Sequence, residues 1–400
     1  MTIESATNEI YYDPYDFDID SDPYPSWKRL REDAPLYHNE KYNFYALSRW
    51  DDVARELHNW QTFQSGKGTI LDFLVNNIEV PPGILLFEDP PLHDLHRKML
   101  SRVFTPRRMN AIEPLARQFC ADALDHLVGQ PGFDLIDELA KQMPMRVISS
   151  LLGVPESNQK QIRDGADDFL KISDKEFGEF DENPFAYMFA LFTDYIDWRA
   201  ENPSDDLMTD LLHTEVTEAD GSTRRLGRDE ALAYSVMIAG AGNETTTRLI
   251  GFAGQLLADN PDQRRQLAAD HSLIAGAIEE VLRFEAPSPV QARYVARDCE
   301  FYGQKVPEGS AMLLINGSAN RDERHFENPD RFDIHRKTAH LSFGQGLHFC
   351  LGAALARMEA RVAVEEILKR WPDWTVDYSG AEKAHTQSVR GWAKLPLLIG

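Results

Sequence analysis

The chain has 400 residues, of which 65 are acidic and 42 are basic, so its formal net charge is −23. Apolar residues make up 42 % of the sequence, enough for a large buried core, which argues against a disordered chain. The negative charge repels phosphate groups, so we expect neither nucleic acid nor an anionic membrane as partner. Three distant cysteines, the lack of a basic-then-apolar leader and the lack of 18 consecutive apolar residues predict a cytoplasmic protein without disulfides or a membrane span.

No linker rich in Pro, Gly and Ser divides the sequence, so we expect residues 1–400 to form a single domain. Helical periodicity dominates from Leu92 to Glu285, and its longest run extends from Asp229 to Leu257. The strand-like patches are short and lie at Asn43–Ser48, Cys299–Val306, Ala311–Ile315 and Leu395–Ile399. The predicted fold class is therefore mostly α with small peripheral β-sheets. A domain of this size needs a central organising element, and a large apolar cofactor would serve.

The first polar pattern in the helical region consists of His93 and Arg97, which lie four residues apart and therefore on one face of a helix. Arg293 and His348 are isolated nitrogen-bearing side chains in later segments. Each of the four, taken alone, is more often a satisfied surface or core residue than a ligand. Their positions in the sequence alone therefore do not indicate a functional role.

The run from Asp229 to Leu257 contains Gly240 and Gly242, each of which costs a helix about 1 kcal/mol relative to Ala. Close packing of small residues against another helix would explain them. Two further patterns are weaker. The spacing Gly240-x-Gly242-x-x-Thr245 nearly matches a dinucleotide-binding fingerprint, but the third glycine and the preceding strand are missing. The triplet that begins at Asn243 is a glycosylation sequon, which has no role in a cytoplasmic protein.

A shorter helical pattern contains Glu280 and Arg283, an (i, i+3) pair of opposite charge. The apolar stripe of this helix consists of Ile274, Ile278, Val281 and Leu282. Periodicity therefore predicts that the pair is exposed to solvent and contributes only about 0.2–0.5 kcal/mol.

Cys350 precedes a helical pattern with apolar residues at Leu351, Leu355, Met358 and Val362. We therefore expect this cysteine at the start of a helix, where free amides and the macrodipole favour a thiolate. Gly346 and Gly352 leave room for a flat ligand against the backbone. These are the requirements for a cysteine that binds iron axially. The alternative is a buried structural cysteine, which is the commoner use of an unpaired thiol.

The segment Phe343–Gly352 resembles the heme-binding loop of the cytochrome P450 monooxygenases, Phe-x-x-Gly-x-x-x-Cys-x-Gly. The four fixed positions are Phe343, Gly346, Cys350 and Gly352. Two further motifs agree in order along the chain. The run from Ala241 to Thr246 resembles the oxygen-activation motif of the family, and Glu280–Arg283 matches its Glu-x-x-Arg pair. The resemblance covers essentially the whole chain.

The resemblance implies a single-domain cytochrome P450 fold with heme b, iron protoporphyrin IX, between the long central helix and the cysteine-loop helix. Cys350 would bind the iron. The resemblance implies that the propionates are bound by His93, Arg97, Arg293 and His348, and that the cofactor is also contacted by Ala241, Phe343, Gly346 and Gly352. Glu280 and Arg283 would form a structural lock with Arg331, which supports the heme loop.

The resemblance also implies a reaction, in which O₂ is activated and an apolar small molecule is hydroxylated or epoxidised. Glu244 would relay protons, and the Thr245 hydroxyl would hydrogen-bond the oxygen being activated. A local opening of the central helix at Gly240 and Gly242 would admit O₂ and water. Two alternatives remain, a peroxygenase that uses hydrogen peroxide directly and a non-catalytic heme sensor. Neither would need the acid–Thr pair.

The sequence contains no flavin or nicotinamide module, so we expect electrons to come from an iron–sulfur ferredoxin and its NAD(P)H reductase. A basic cluster is the predicted docking site for an acidic partner, and it consists of Lys98, Arg102, Arg107, Arg108, Arg357 and Arg361. Ordinary solvated helix faces are the alternative. We expect the protein to act as a monomer.

Family members contact substrate through a few variable stretches, which correspond here to Thr69–Leu86, Phe169–Phe192, Val236–Gly240, Ser288–Gln291 and Val389–Trp392. The candidate pocket residues are Ile70, Leu74, Phe180, Val236, Met237, Val290 and Trp392. Their side chains predict an apolar pocket. The spelling Ala-Gly-Asn-Glu-Thr-Thr is similar to that of bacterial members that oxidise lipids, steroids and isoprenoids, so we expect a substrate of one of these classes.

Overall fold

The structure is a computed structural model that describes residues 10–80, 83–101, 104–155, 184–217, 221–337, 339–386 and 388–400. Phe180 of the predicted pocket and Arg102 of the predicted basic cluster lie outside these ranges. The α-helices of the described ranges are α1 Phe17–Ser21, α2 Tyr24–Asp33, α3 Trp50–Glu56, α4 Leu71–Val75, α5 Leu92–Leu100, α6 Pro106–Leu124, α7 Gln142–Leu152, α8 Pro184–Glu201, α9 Leu207–His213, α10 Arg228–Asp259, α11 Pro261–Ala269, α12 Ile274–Phe284, α13 Asn316–Ala319 and α14 Ala353–Arg370. None of these helices is both long and apolar enough to cross a bilayer.

The strands are short, and most of them lie outside Leu92–Glu285, the part of the sequence in which helical periodicity dominates. They are β1 Leu36–Asn39, β2 Phe44–Leu47, β3 Phe63–Gln64, β4 Gly132–Asp134, β5 Glu215–Thr217, β6 Thr223–Arg225, β7 Gln291–Val295, β8 Cys299–Phe301, β9 Gln304–Val306, β10 Ala311–Leu314, β11 Trp374–Val376, β12 Glu382–Ala384, β13 Gly391–Lys394 and β14 Pro396–Ile399. The largest sheet has the order β1-β2-β10-β7-β3, in which only β2 and β10 pair in parallel. The predicted fold class, mostly α with small peripheral sheets, is confirmed.

The central helix α10 spans 32 residues, or about 48 Å. At its start the side chain of Glu230 accepts a hydrogen bond of 2.7 Å from the amide of Gly227. Asn260 ends it, directly before Pro261, which begins α11. The α-helix is unbroken, so the expected local opening at Gly240 and Gly242 is wrong. Close packing explains Gly242, because a Cβ there would lie 3.2 Å from the side chain of Ile148 on α7.

Glu280 and Arg283 of α12 are buried, so the exposed pair predicted from periodicity is wrong. Arg283 donates two hydrogen bonds to the Glu280 carboxylate, at 2.7 and 2.8 Å. It also donates to the carbonyls of Asn320 and Pro329, each at 2.9 Å. The apolar stripe faces the core as expected, but the segment that follows β10 covers the opposite face of the helix and excludes water from the pair.

The third member of this network is Arg336 and not the predicted Arg331. Arg336 donates to Glu280 at 3.2 Å, whereas the Arg331 side chain is exposed and only its carbonyl accepts from Arg283, at 3.4 Å. A turn at Asp333 causes the exchange. The amide of Arg336 donates to the Asp333 carbonyl at 3.0 Å, which brings the arginine back over Glu280.

This network, which we call the Glu280 clamp (Glu280, Arg283 and Arg336), is connected to the cysteine loop through Asn320. The side-chain oxygen of Asn320 accepts from the amide of Leu341 at 2.7 Å, and its Nδ2 donates to the Ser342 hydroxyl at 2.8 Å. Ser342 in turn donates to the carbonyl of Leu282 on α12 at 2.5 Å. The clamp therefore fixes the chain immediately before Phe343.

The difference between the two arginines is testable. We expect Arg336→Ala to lower the free energy of unfolding by about 2 kcal/mol, because it leaves the buried Glu280 carboxylate with one partner fewer. Arg331→Ala, which removes an exposed side chain, should change it by less than about 0.5 kcal/mol. Urea unfolding followed by tryptophan fluorescence measures both. Equal losses in the two variants would contradict the assignment of Arg336.

Candidate functional site

The cysteine loop is a tight, hydrogen-bonded turn between the clamp and α14. Its glycines Gly344 and Gly346 have positive φ angles of +67° and +71°. A Cβ at Gly346 would lie 2.6 Å from the carbonyl oxygen of Leu57, so no side chain fits there. The amide of Cys350 donates to the Phe343 carbonyl at 2.9 Å. The loop thereby holds the cysteine in one place.

Cys350 lies just before α14, which begins at Ala353 with Gly352 as N-cap, so the predicted helix start is two to three residues too early. The amides of Gly352 and Ala353 and the guanidiniums of Arg97 and Arg357 lower the pKa of its thiol. Burial is the largest influence, and it raises that pKa above its usual range. The helix terminus alone therefore does not keep a thiolate here. A coordinated metal cation would, because it deprotonates a thiol that binds it.

Four predicted ligands from three separate segments come together near this loop. His93 and Arg97 lie on α5, Arg293 lies on β7 and His348 lies in the loop itself. The rings of His93 and His348 have centroids 4.4 Å apart. Burial, and then the nearby Arg293, His93 and Arg97, lower the pKa of His348 to about 3. Burial likewise lowers the pKa of Arg293 to about 10.

We call this group the donor cluster (His93, Arg97, Arg293 and His348). The one described carboxylate within ion-pair distance of it is the exposed Asp94, which lies 3.2 Å from Nδ1 of His93. The Nε2 atoms of both histidines are buried without a hydrogen-bond partner. Within the described ranges, no carboxylate forms an ion pair with Arg97, Arg293 or His348. Among the described residues, Arg293 donates to the Ala292 carbonyl and to the side chain of Gln291. Burying positive charge without a counter-ion is costly, so the cluster fits a ligand that carries carboxylates, as heme does through its propionates.

Two small residues leave open space on the elements that face this region. A Cβ at Gly240 of α10, or at Gly352 before α14, would meet no atom within 4 Å. Ala241 is exposed, although its neighbours Asn243 and Glu244 are buried. The Thr245 hydroxyl donates to the Ala241 carbonyl at 3.0 Å. The stripe that contains Ala241 and Thr245 is therefore the accessible side of the helix at this point.

Glu244 is buried in an ion pair with Arg248, four residues further along α10. Arg248 also donates to the backbone carbonyl of Trp392. Sequence reasoning missed Arg248. The (i, i+4) spacing of the two charges was the available signal, but that spacing is usual on exposed helix faces and does not reveal burial.

The predicted pocket residues divide among three apolar clusters. Ile70 and Met237 pack together in a cluster whose other members include Phe73, Ile84, Phe87 and Ala233. Leu74 and Val290 belong to a second cluster around Trp27, and Val236 and Trp392 belong to the main core. The Trp392 indole donates to the side chain of Gln255 at 2.8 Å. Of the described pocket candidates, only Ile70 and Met237 therefore lie in this first cluster together, and Phe87 is a member that was missed.

A second buried acid was also missed. Glu359 of α14 lies against the central helix, and burial raises its pKa well above the usual range, while a hydrogen bond with Thr246 opposes this. The apolar periodicity of α14 was the only pattern visible around Glu359, and that pattern does not indicate what a polar residue faces.

Comparison with known proteins shows the family to which the chain belongs. The family model described as "Cytochrome P450" matches residues 195–386. The protein named "Putative cytochrome P450 123" of Mycobacterium tuberculosis is 40 % identical over a 407-residue alignment that covers 100 % of this chain and 99 % of that relative.

Two solved structures have the same fold. CYP109Q5 from Chondromyces apiculatus superposes with a TM-score of 0.84 at 32 % identity, covering 97 % of this chain and 98 % of that one. A mutant of EryK in complex with erythromycin B superposes with a TM-score of 0.86 at 33 % identity, covering 95 % and 96 %. The fold and these relatives thus define a heme-dependent oxidoreductase. The chain belongs to the cytochrome P450 family, and it is a monooxygenase of that family.

Proposed function

We propose that residues 1–400 form one cytoplasmic heme domain that oxidises an apolar small molecule with O₂. The observation that supports this most strongly is the donor cluster, in which Nε2 of His93 and of His348 is buried without a hydrogen-bond partner, and neither arginine forms an ion pair with a described carboxylate. In this proposal the cluster binds the propionates of heme b, and Cys350 binds the iron. Phe343, Gly346, Gly352 and Ala241 line the cofactor. The bound heme supplies the oxygen chemistry.

The protein contributes proton delivery and orientation of the substrate. Glu244 is the carboxylate that relays protons, accepting one from water and passing it on, and Thr245 carries the hydroxyl that donates a hydrogen bond on the accessible side of α10. In the structure this hydroxyl donates to the Ala241 carbonyl, a weak local bond that a better acceptor can replace by rotation of the side chain. The two residues are adjacent, so they differ by about 100° around the helix.

The apolar cluster that contains Ile70, Phe87 and Met237 supports an apolar substrate, because we propose that it forms one wall of the substrate pocket. A wall of this kind binds aliphatic surface and offers no charge to anchor a carboxylate. We propose a lipid, an isoprenoid or a steroid. The EryK structure contains erythromycin B, so this macrolide is a useful comparison compound.

Two steps test the reaction. A panel of steroids, isoprenoids, fatty acids and erythromycin B is first titrated against the ferric protein, and the compound that gives a saturable spin-state shift becomes the substrate. Thr245→Ala should then lower product formed per reductant consumed by about tenfold or more. Without the Thr245 hydroxyl, protons are no longer directed to the correct oxygen atom, so reductant is consumed without forming product. The matched control is Thr246→Ala, whose hydroxyl contacts Glu359 instead. Unchanged coupling in Thr245→Ala would point to a peroxygenase or a sensor.

We further propose that an acidic iron–sulfur ferredoxin, reduced by its NAD(P)H reductase, docks beside Cys350. In the structure, three arginines of the predicted basic cluster form ion pairs, so fewer of its positive charges are available to a partner. Arg108 pairs with Asp210, Arg357 with Glu279, and Arg361 with Glu113 and Glu365. These arginines are largely neutralised. Of the predicted cations that the structure describes, Lys98 and Arg107 are exposed and form no ion pair with a described carboxylate, and Phe349 beside the cysteine is also exposed.

Charge reversal tests this docking surface. We expect the double variant Lys98→Glu/Arg107→Glu to slow reduction by ferredoxin about tenfold at low ionic strength, and we expect the difference to shrink as salt is added. The control is Lys305→Glu/Lys394→Glu, which makes the same change in net charge at exposed positions on β9 and β13. Stopped-flow reduction measures both. Equal slowing in the two variants would show a general charge effect and would place the docking site elsewhere.

A further inference from the structure

The carboxylate of Glu244 is held by a cation from its own helix. Its ion pair with Arg248 is buried, with side-chain exposures of 4 % and 7 % respectively. The other end of the guanidinium donates to the carbonyl of Trp392 at the start of β13. Arg248 therefore connects the acid of the central helix to the C-terminal strand.

Gly391 makes room for this connection. A Cβ at Gly391 would lie 2.5 Å from Cδ of Arg248 and 2.8 Å from its Cβ. Real Cβ atoms do not approach other atoms this closely, so any side chain at this position would displace the arginine. The strand thus begins with the one residue type that lets Arg248 pass over it.

We propose that Arg248 is a positioning residue for Glu244, which keeps the carboxylate ionised and in a fixed place next to Thr245. This rests on the proposed function only in taking Glu244 as the carboxylate that relays protons. A buried carboxylate without a cation takes up a proton, because a low-dielectric surrounding disfavours its charge. The planar guanidinium prevents this, and its second bond, to the Trp392 carbonyl, fixes its plane.

The role of Trp392 changes accordingly. The resemblance implied that it touches substrate, but its side chain lies in the core and its indole donates to Gln255. The Trp392 carbonyl accepts a hydrogen bond from Arg248, and Arg248 in turn pairs with Glu244. Gln255 and Arg248 are thus two separate links between α10 and Trp392, and only Arg248 also contacts Glu244.

Infrared difference spectra of the heme-loaded protein at neutral pH test the charge state directly. Arg248→Met should gain the carbonyl band of a protonated carboxylic acid, and the double variant Arg248→Met/Glu244→Gln should lose it again. Arg248→Lys should show no such band, because the cation is retained. Gly391→Ala, which displaces the arginine without removing it, should show the band and serves if Arg248→Met folds poorly. Absence of the band from both Arg248→Met and Gly391→Ala would overturn the proposal.

The functional readout is product formed per reductant consumed. We expect Arg248→Met and Glu244→Gln each to lower it about tenfold, and the double variant to be no worse than either, since the arginine acts only through the acid. Gln255→Met breaks the other link to Trp392 and should leave the ratio unchanged. Additive losses, or an equal loss in Gln255→Met, would overturn the positioning role. If instead the proposed function fails, Thr245→Ala stays coupled while the infrared band of Arg248→Met persists.

Discussion

Arg293 is buried and Arg97 is half-buried, both close to His93 and His348. The described residues provide no carboxylate that pairs with either guanidinium. An unpaired buried cation is among the costliest features a fold can contain. A ligand that carries carboxylates removes this cost, and the ligand must reach Cys350 as well. Burial raises the pKa of that thiol, so its ionisation also depends on a bound cation. Heme, with two propionates and a central iron, meets both requirements at once.

The scaffold around this region serves to fix two short pieces of chain. On one side, the Glu280 clamp reaches through Asn320 to Ser342 and fixes the beginning of the cysteine loop. On the other side, α10 presents Ala241 and Thr245, while Arg248 fixes Glu244, the residue that precedes Thr245 in the sequence. Both networks are buried sets of charged hydrogen bonds. Removing one member of such a set leaves another charge unpaired, so each set holds a single geometry.

The sequence predicts the elements of the fold well but not the partners of its buried charges. The Asp229–Leu257 run and all four strand-like patches appear as expected, because periodicity reports which face of an element is buried. The same signal fails for Glu280, whose polar face is covered by chain more than 40 residues away. Arg336 replaces Arg331 because a turn at Asp333 redirects the chain, and spacing contains no information about that turn. Arg248 was missed because its (i, i+4) spacing from Glu244 does not reveal burial, and its second partner, the Trp392 carbonyl, lies in a distant segment.

The most direct test of the account is the rate at which the purified ferric protein loses heme to an excess of apomyoglobin. If the donor cluster holds the propionates, Arg97→Leu should release heme about tenfold faster than the unmodified protein, which corresponds to the loss of one charge-assisted hydrogen bond. Lys98→Leu changes an exposed cation one residue further along the same helix and should release heme at the unmodified rate. Equal rates in Arg97→Leu and Lys98→Leu would contradict the assignment of the cluster to heme.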